Sequence, residues 1–435
     1  MNRRSFAAAL IVLVPVGLLS ARLKELEPAA TNIGAEGKTV STLADRDVQI
    51  SVWRKALTAD SGSAIALGML AGLYVQRGRE SGDESNYAEA EAYARRSVGL
   101  RTNRNGAAFV TLASALLTQH RFVEADSIAT KLVSLEPDIP QYRSMLGEIS
   151  LELGDYDRAR SLFDSLRSQR THLSIAPRLA RWMELNGESD AARKLLYSAL
   201  AEAKRRRDLP REQLAWFHLR VGDIEMRSGR LRGARSEFEA GLHAAPGDYR
   251  LLAAMSRLEA VQGHPSAAID FGERSMAIKL DPATLGTIGD AWAQLGDTAQ
   301  AEDYFKTMEV AVAGQPGAYH RAWSLFLLDH DRRVGEVLAN VGFELETRRD
   351  IYGYDLLAWA LHKSGRNAEA RDAMAMALRM GTQDAMLFYH AGMIERGLGD
   401  KPRARHYLER ALAINPWFHP TQSREARAAL AVMPK

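Results

Sequence analysis

The chain of 435 residues contains no cysteine. That absence rules out disulfide bridges, thiolate metal sites, a cysteine nucleophile and lipid attachment through an N-terminal cysteine. Proline is scarce at 14 residues and aromatics make up only 7%, a balance that favours helix over sheet, with alanine, leucine, arginine and glutamate filling the space. Neither sign of charge dominates: 57 basic side chains against 54 acidic ones leave a formal net charge of +3. This gives no support for a nucleic-acid surface, despite a pI near 9.0. The length is great for one compact core, which points to several domains or one elongated array.

A long apolar run is also missing, except near the start. There "FAAALIVLVPVGLLSA", Phe6 to Ala21, follows Arg3 and Arg4. A basic pair before a short apolar run has the layout of an export signal and resembles the twin-arginine type, and the run is short for a membrane-crossing helix. Leu19 stands where a small residue is expected before cleavage, and Arg22 and Lys24 follow at once. Residues 1–24 are therefore read as a cleaved signal peptide or an uncleaved membrane anchor, with a buried N-terminal helix as the alternative. The expected location is periplasmic, or anchored to the outer side of the cytoplasmic membrane. Residues 25–41, rich in small and polar side chains, read as a linker. Gly37-Lys38-Thr39 matches the tail of a phosphate-binding loop, but Asn32 replaces its first glycine and no strand precedes it, so the match is a coincidence.

From here the chain repeats itself. Turns of the "LGD" or "SGR" kind recur at Gly154, Gly187, Gly229, Gly263, Gly296, Gly365 and Gly399, at intervals of 33, 42, 34, 33, 69 and 34. The period is about 34 and the 69 is a doubled one. Seven positions before each turn sits a small residue, namely Gly147, Ala180, Gly222, Ser256, Gly289, Ala358 and Gly392. Five positions after it sits an alanine, from Ala159 to Ala404. Glycine inside a helix costs roughly 0.5–1 kcal/mol relative to alanine, so its recurrence needs a cause outside helix propensity, and close approach of a second helix supplies one.

The pattern resembles the tetratricopeptide family. Leu285, Ile288, Gly289, Trp292, Ala301 and Phe305 fit its positions 4, 7, 8, 11, 20 and 24. Further fits are Phe109, Leu112, Ala113, Leu116, Ala125 and Pro137; Leu146, Gly147, Ala159 and Phe163; and Phe388, Gly392, Ala404, Leu408, Ala411 and Pro416. The resemblance implies an all-α fold: a right-handed superhelical solenoid of about ten helix-turn-helix units over residues 62–418. Capping helices are expected at 42–61 and 419–435. Each unit should contact only its neighbours. One unit, near 318–349, lacks both the turn glycine and the alanine and is degenerate. The insertion "AEAKRRRDLP" at 201–210 carries Lys204 to Arg207, a solvated loop or a basic contact patch.

The sequence holds no complete G-x-S-x-G elbow, H-E-x-x-H helix, P-loop or dinucleotide fingerprint, and its histidines are scattered. No catalytic residue, cofactor or metal site is assigned, and the chain is read as non-enzymatic. Function then falls to the concave groove, which in this family is lined by positions 2, 5, 9 and 12 of each first helix. Position 9 gives Glu148, Arg181, Asp223, Arg257 and Asp290, of alternating sign. With first helices roughly 10 Å apart, these form either a structural ladder of ion pairs or a polar strip for a peptide. Further along, the lining turns aromatic: Tyr352, Asp355, Trp359 and His362 in one unit, Met386, Tyr389 and Met393 in the next. These are an adaptable partner site, or core if the degenerate unit or the C-terminal cap folds over them. The expected function is a protein-protein interaction scaffold in a bacterial envelope assembly. The alternative is a peptide- or ligand-binding regulatory module of the envelope. The expected partner is a protein or peptide, not nucleic acid, with membrane attachment through the N-terminal segment.

Overall fold

The computed structural model describes residues 43–313 and 321–433, which belong to one compact unit. The expected signal or anchor at 1–24, the linker at 25–41 and residues 318–320 of the degenerate unit lie outside the described residues.

Among the described residues there are 22 α-helices, one 3-10 turn and no strand. Helix α1 (Leu43–Ala59) stands before ten helix pairs. The pairs are α2 (Ala64–Ser81) with α3 (Ser85–Leu100), α4 (Gly106–Thr118) with α5 (Phe122–Leu135), α6 (Pro140–Leu153) with α7 (Tyr156–Asp164), α8 (Ala176–Leu185) with α9 (Ser189–Arg205), and α10 (Arg211–Arg227) with α11 (Leu231–Ala244). They continue with α12 (Tyr249–Gln262) and α13 (Pro265–Met276), α14 (Pro282–Gln294) and α15 (Thr298–Ala313), α16 (Arg321–Asp329) and α17 (Val334–Thr347), α18 (Ile351–Lys363) and α19 (Asn367–Leu378), and α20 (Ala385–Gly397) and α21 (Lys401–Ile414). Helix α22 (Gln422–Ala431) closes the series. The fold is a superhelical solenoid of helix-turn-helix repeats.

The small residue of each first helix is explained by what crosses it. A Cβ on Gly147 would lie 2.9 Å from the Phe163 ring, one on Gly392 would lie 2.6 Å from Leu408, and one on Gly289 or Gly222 would overlap Phe305 or Phe238. Each partner belongs to the second helix of the same unit, so glycine at this place and the bulky side chain sixteen residues on are one packing device.

The turns need a left-handed residue after the first helix, and Gly154, with φ of 78°, supplies it. Where glycine is missing, Asp331 (φ 52°) and His120 (φ 57°) take the same conformation. The degenerate unit therefore keeps the repeat geometry, with aspartate at its turn, since Asp and Asn tolerate this region better than most side chains.

A second recurring device was not foreseen. The third residue after the small position is glutamate in three units, and each is buried: Glu225, Glu259 and Glu395, 3–4% exposed. Each pairs with an arginine of the preceding unit's second helix, Arg193 with Glu225 at 3.4 Å, Arg235 with Glu259 at 2.6 Å and Arg371 with Glu395. These ion pairs stitch consecutive units where the family pattern expects a large apolar residue.

The expectation that contacts stay between neighbours is corrected by the structure. Roughly six repeats on, the superhelix returns upon itself, and loops of the second turn rest on helix ends of the first. Arg348 hydrogen-bonds the Glu152 carbonyl, 2.9 Å, and its side chain; the Arg349 amide donates to Leu153 O, 3.0 Å. Ile351 N donates to the Tyr156 hydroxyl, 2.8 Å, Thr382 Oγ1 to Leu185 O, 2.6 Å, and Asn415 Nδ2 to Met226 O, 3.0 Å. The carbonyls of Leu153 and Leu185, at the ends of their helices, lack an intrahelical donor, which is why they are available, whereas Met226 O also accepts from Gly229 N at 3.0 Å. One apolar cluster spans the same seam, running from Leu151, Tyr156, Phe163 and Leu185 to Ile351, Leu387 and Ile394. Earlier, Lys279 reaches Glu84 at 3.1 Å and Gln76 reaches Glu212 at 3.3 Å. No helix among the described residues is long and apolar enough to cross a membrane.

Candidate functional site

The first helices face inward, so their groove-lining positions converge on the axis of the superhelix. Where the second turn is seated on the first, around Arg181 and Tyr352, this space is narrow. Between the turns lies a cavity of about 20 Å³, room for one or two water molecules, lined by Arg181, Glu184, Arg227, Tyr352, Thr382 and Asp384 among others. A larger cleft of about 620 Å³ lies elsewhere, between α1 and the α2–α3 pair; its walls mix Asp47 and Glu89 with Arg54, Lys55 and Arg77.

The charged strip divides into separate contacts. Asp223 and Arg257 do meet, at 3.6 Å. The other neighbours do not: Glu148 pairs with Arg178 at 2.6 Å, and Asp290 with His330 at 3.0 Å. Arg181 lies over the Tyr352 ring, 5.4 Å from its centroid, across the seam. Burial would lower the pKa of Arg181, but Tyr352, Glu184 and Glu152 outweigh it and hold the guanidinium firmly charged. Glu184 is pressed upward by burial and brought below the usual carboxylate range by Arg227, Arg220 and Arg181. Asp384, which caps α20 by accepting from Met386 N at 2.9 Å, is pushed up by burial.

The aromatic residues are covered: of the two readings of Trp359, Tyr389 and Asp355, open groove lining is corrected, and core beneath the degenerate unit and the C-terminal cap is what the structure has. Trp359 is 2% exposed, Tyr389 1% and Asp355 5%. The cause is the C-terminal cap together with α16. Trp359 Nε1 donates to Asp329 at 2.9 Å, Gln422 Nε2 donates to the same oxygen at 2.8 Å, and Tyr389 donates to Glu425 at 2.6 Å. His390 Nδ1 pairs with Asp355 at 2.8 Å, and its ring stacks on Trp359 with centroids 4.2 Å apart. Tyr352, His362, Met386 and Met393 are half-buried. His362 bonds Asn367 at 2.6 Å, and burial holds its pKa below the usual histidine value. The two methionines pack against the C-terminal core.

Sequence reasoning missed Glu184, Arg220, Arg227 and Asp384, which meet Arg181 and Tyr352 in the groove, and the cap residues Gln422 and Glu425. Glu184 was within reach, since it occupies position 12 of its helix. Arg220 and Arg227 reach Glu184 from the first helix of the next unit, at positions outside the groove-lining set, and only Asp384 depends on how one superhelical turn registers on the next, which a repeat pattern does not encode. Among the described residues, no group of three or more His, Asp or Glu side chains is placed to hold a metal ion.

Residues 110–171 and 356–420 match the tetratricopeptide repeat family. The matched segments run from within α4 to just past the end of α7 and from within α18 to just past the end of α21, and the unmatched middle holds the insertion and the degenerate unit. No curated protein matches the sequence. Among solved structures, the chain is similar to the human IFIT1 dimer with PPP-AAAA, at 14% identity over 85% of this chain and 86% of that one, with a TM-score of 0.46. It is also similar to a tetratricopeptide repeat protein from Parabacteroides merdae, at 17% identity over 62% and 97% with a TM-score of 0.35. A third is a chain of the APC/C hetero-tetramer Cut9-Hcn1, at 13% identity over 89% and 93% with a TM-score of 0.34.

Proposed function

We propose that this chain is a non-enzymatic scaffold that binds a protein or peptide partner, and that it does so in a bacterial envelope assembly. Tetratricopeptide solenoids are generally protein-protein interaction scaffolds. The observation that supports a groove site is the character of its walls: Arg181, Glu184, Arg220, Asp223, Arg227 and Arg257 converge there as charged groups, where a solenoid with a purely structural interior would place apolar ones. Export and attachment at the outer side of the cytoplasmic membrane rest on Arg3, Arg4 and the apolar run Phe6 to Ala21.

The test is site-specific photo-crosslinking in the native host. A crosslinker at Arg257, exposed on the inner face, is expected to capture a partner from the membrane fraction; one at Lys306, exposed on the outer face, is not. Capture from Lys306 with none from Arg257 overturns the groove reading. A second reading, a regulatory module in which an occupied groove changes the curvature of the solenoid, draws support from the seam, because a partner entering the groove must move one turn against the other.

A further inference from the structure

Around Arg181 and Tyr352 the seam covers part of the groove, where some side chains keep unused hydrogen-bonding capacity, while Arg257 and Glu148 stay open to solvent. Ser144 Oγ and Arg321 Nε, at groove-lining positions of their first helices, are buried without a hydrogen-bond partner, and Glu184 Oε2 has only the Arg220 guanidinium at 3.9 Å. Native proteins leave few such atoms.

The contacts that close the seam differ from those that build the solenoid. Along the solenoid, helix packs on helix, unit after unit. Across the seam, the inter-repeat loops at 348–350, 381–384 and 415–416 rest on helix-end carbonyls, clasped by Arg348, beside the apolar cluster that runs from Leu151, Tyr156 and Leu185 to Ile351 and Leu387. Parting the seam leaves every unit its sequential neighbours. The two turns are joined through α16 and α17, where packing is thinnest: Phe343 is 76% exposed, and nothing lies within 4 Å of a Cβ added at Gly335 or Gly342.

We propose that the seam is a releasable clasp: the superhelix opens about the α16–α17 unit, and the open form presents Arg181, Arg227, Tyr352 and Asp384 to an extended polar peptide segment of a partner. The inference rests on the groove being the partner surface, but the clasp is tested without a partner, so its failure and the failure of the scaffold reading are told apart.

The chain has no native thiol, so a single introduced cysteine reports its own site. Thr382→Cys lies in the seam and Ala113→Cys in the core of an early unit; both positions are at most 5% exposed. With a maleimide probe in native buffer, Thr382→Cys should label at least ten-fold faster than Ala113→Cys. Adding Arg348→Glu should widen the gap, and a further Glu152→Arg should restore it. In the unsubstituted chain, hydrogen exchange at the Arg349 and Ile351 amides should outpace that of helix-interior amides of α18. Equal, slow labelling at both thiols with and without Arg348→Glu, or equally protected Arg349 and Ile351 amides, overturns the proposal, as does acceleration at both thiols together.

Discussion

Gly154 ends α6, and any side chain placed on it would strike the Arg349 backbone of the next superhelical turn. Gly187 stands likewise, 2.6 Å from the Gly381 carbonyl once a Cβ is built, whereas Gly263, Gly296, Gly365 and Gly399 have nothing within 4 Å. The turn glycines of one repeat family thus fall into two kinds: all supply a left-handed residue, and some also make room for the second turn.

That difference is measurable. Alanine at Gly263 should cost only the left-handed strain, about 1 kcal/mol. Alanine at Gly154 or Gly187 meets the same strain and a backbone collision, and should cost about 1–3 kcal/mol more. Urea denaturation of the three variants separates them; equal losses would place no turn against Gly154.

Within a unit, Gly289→Ala should destabilise by about 1–3 kcal/mol, because the added methyl overlaps the Phe305 ring. Phe305→Leu in the same chain should recover part of the loss. Additive losses in the double variant, read from thermal unfolding, would mean that the two residues do not share this space.

The buried glutamates should carry more than surface ion pairs do. Glu259→Gln keeps the shape and removes the charge facing Arg235, whose side chain is 32% exposed and can turn to water. The expected cost is therefore about 1–2 kcal/mol, the range for a hydrogen bond to a charged group, and not the larger penalty of a stranded buried charge. Glu239→Gln, at the exposed 3.8 Å pair with the same arginine, should cost less than about 0.5 kcal/mol. Chemical denaturation compares the two directly.

Acidification should loosen the C-terminal cap. Burial lowers the pKa of His419, outweighing Asp329, Asp290 and Glu425, so the folded chain keeps the ring neutral where the unfolded chain takes up a proton. The resulting stability is fully present above the ordinary histidine pKa of about 6.5 and is lost as pH falls toward the lower folded value. His419→Gln should flatten the fall in stability between pH 7 and pH 5. An unchanged slope would remove His419 from the account.

Much of the fold was legible because the repeat writes itself into the sequence: Gly147, Gly222, Gly289 and Gly392 each announce a crossing helix, and the bulky partner follows at a fixed distance. Asp331 concealed one turn only because aspartate replaced the glycine. The site was less legible. Trp359 and Tyr389 sit where a groove lining should be, and the repeat pattern alone does not choose between an open lining and a core covered by the degenerate unit and the cap, which Asp329, Gln422 and Glu425 decide. Arg348 and Glu152 are 196 residues apart, and their meeting depends on the pitch of the superhelix, a sum of small rotations over some six units.

Paired cysteines at positions 152 and 348 test the closed superhelix most directly, in a chain with no other thiol. With Glu152→Cys and Arg348→Cys together, a short bifunctional thiol reagent should link the two within one monomer in native buffer, and the link should not form in urea. Failure to link in native buffer, or links only between separate molecules, would contradict the account: the second turn would not rest on the first, and the groove would stand open.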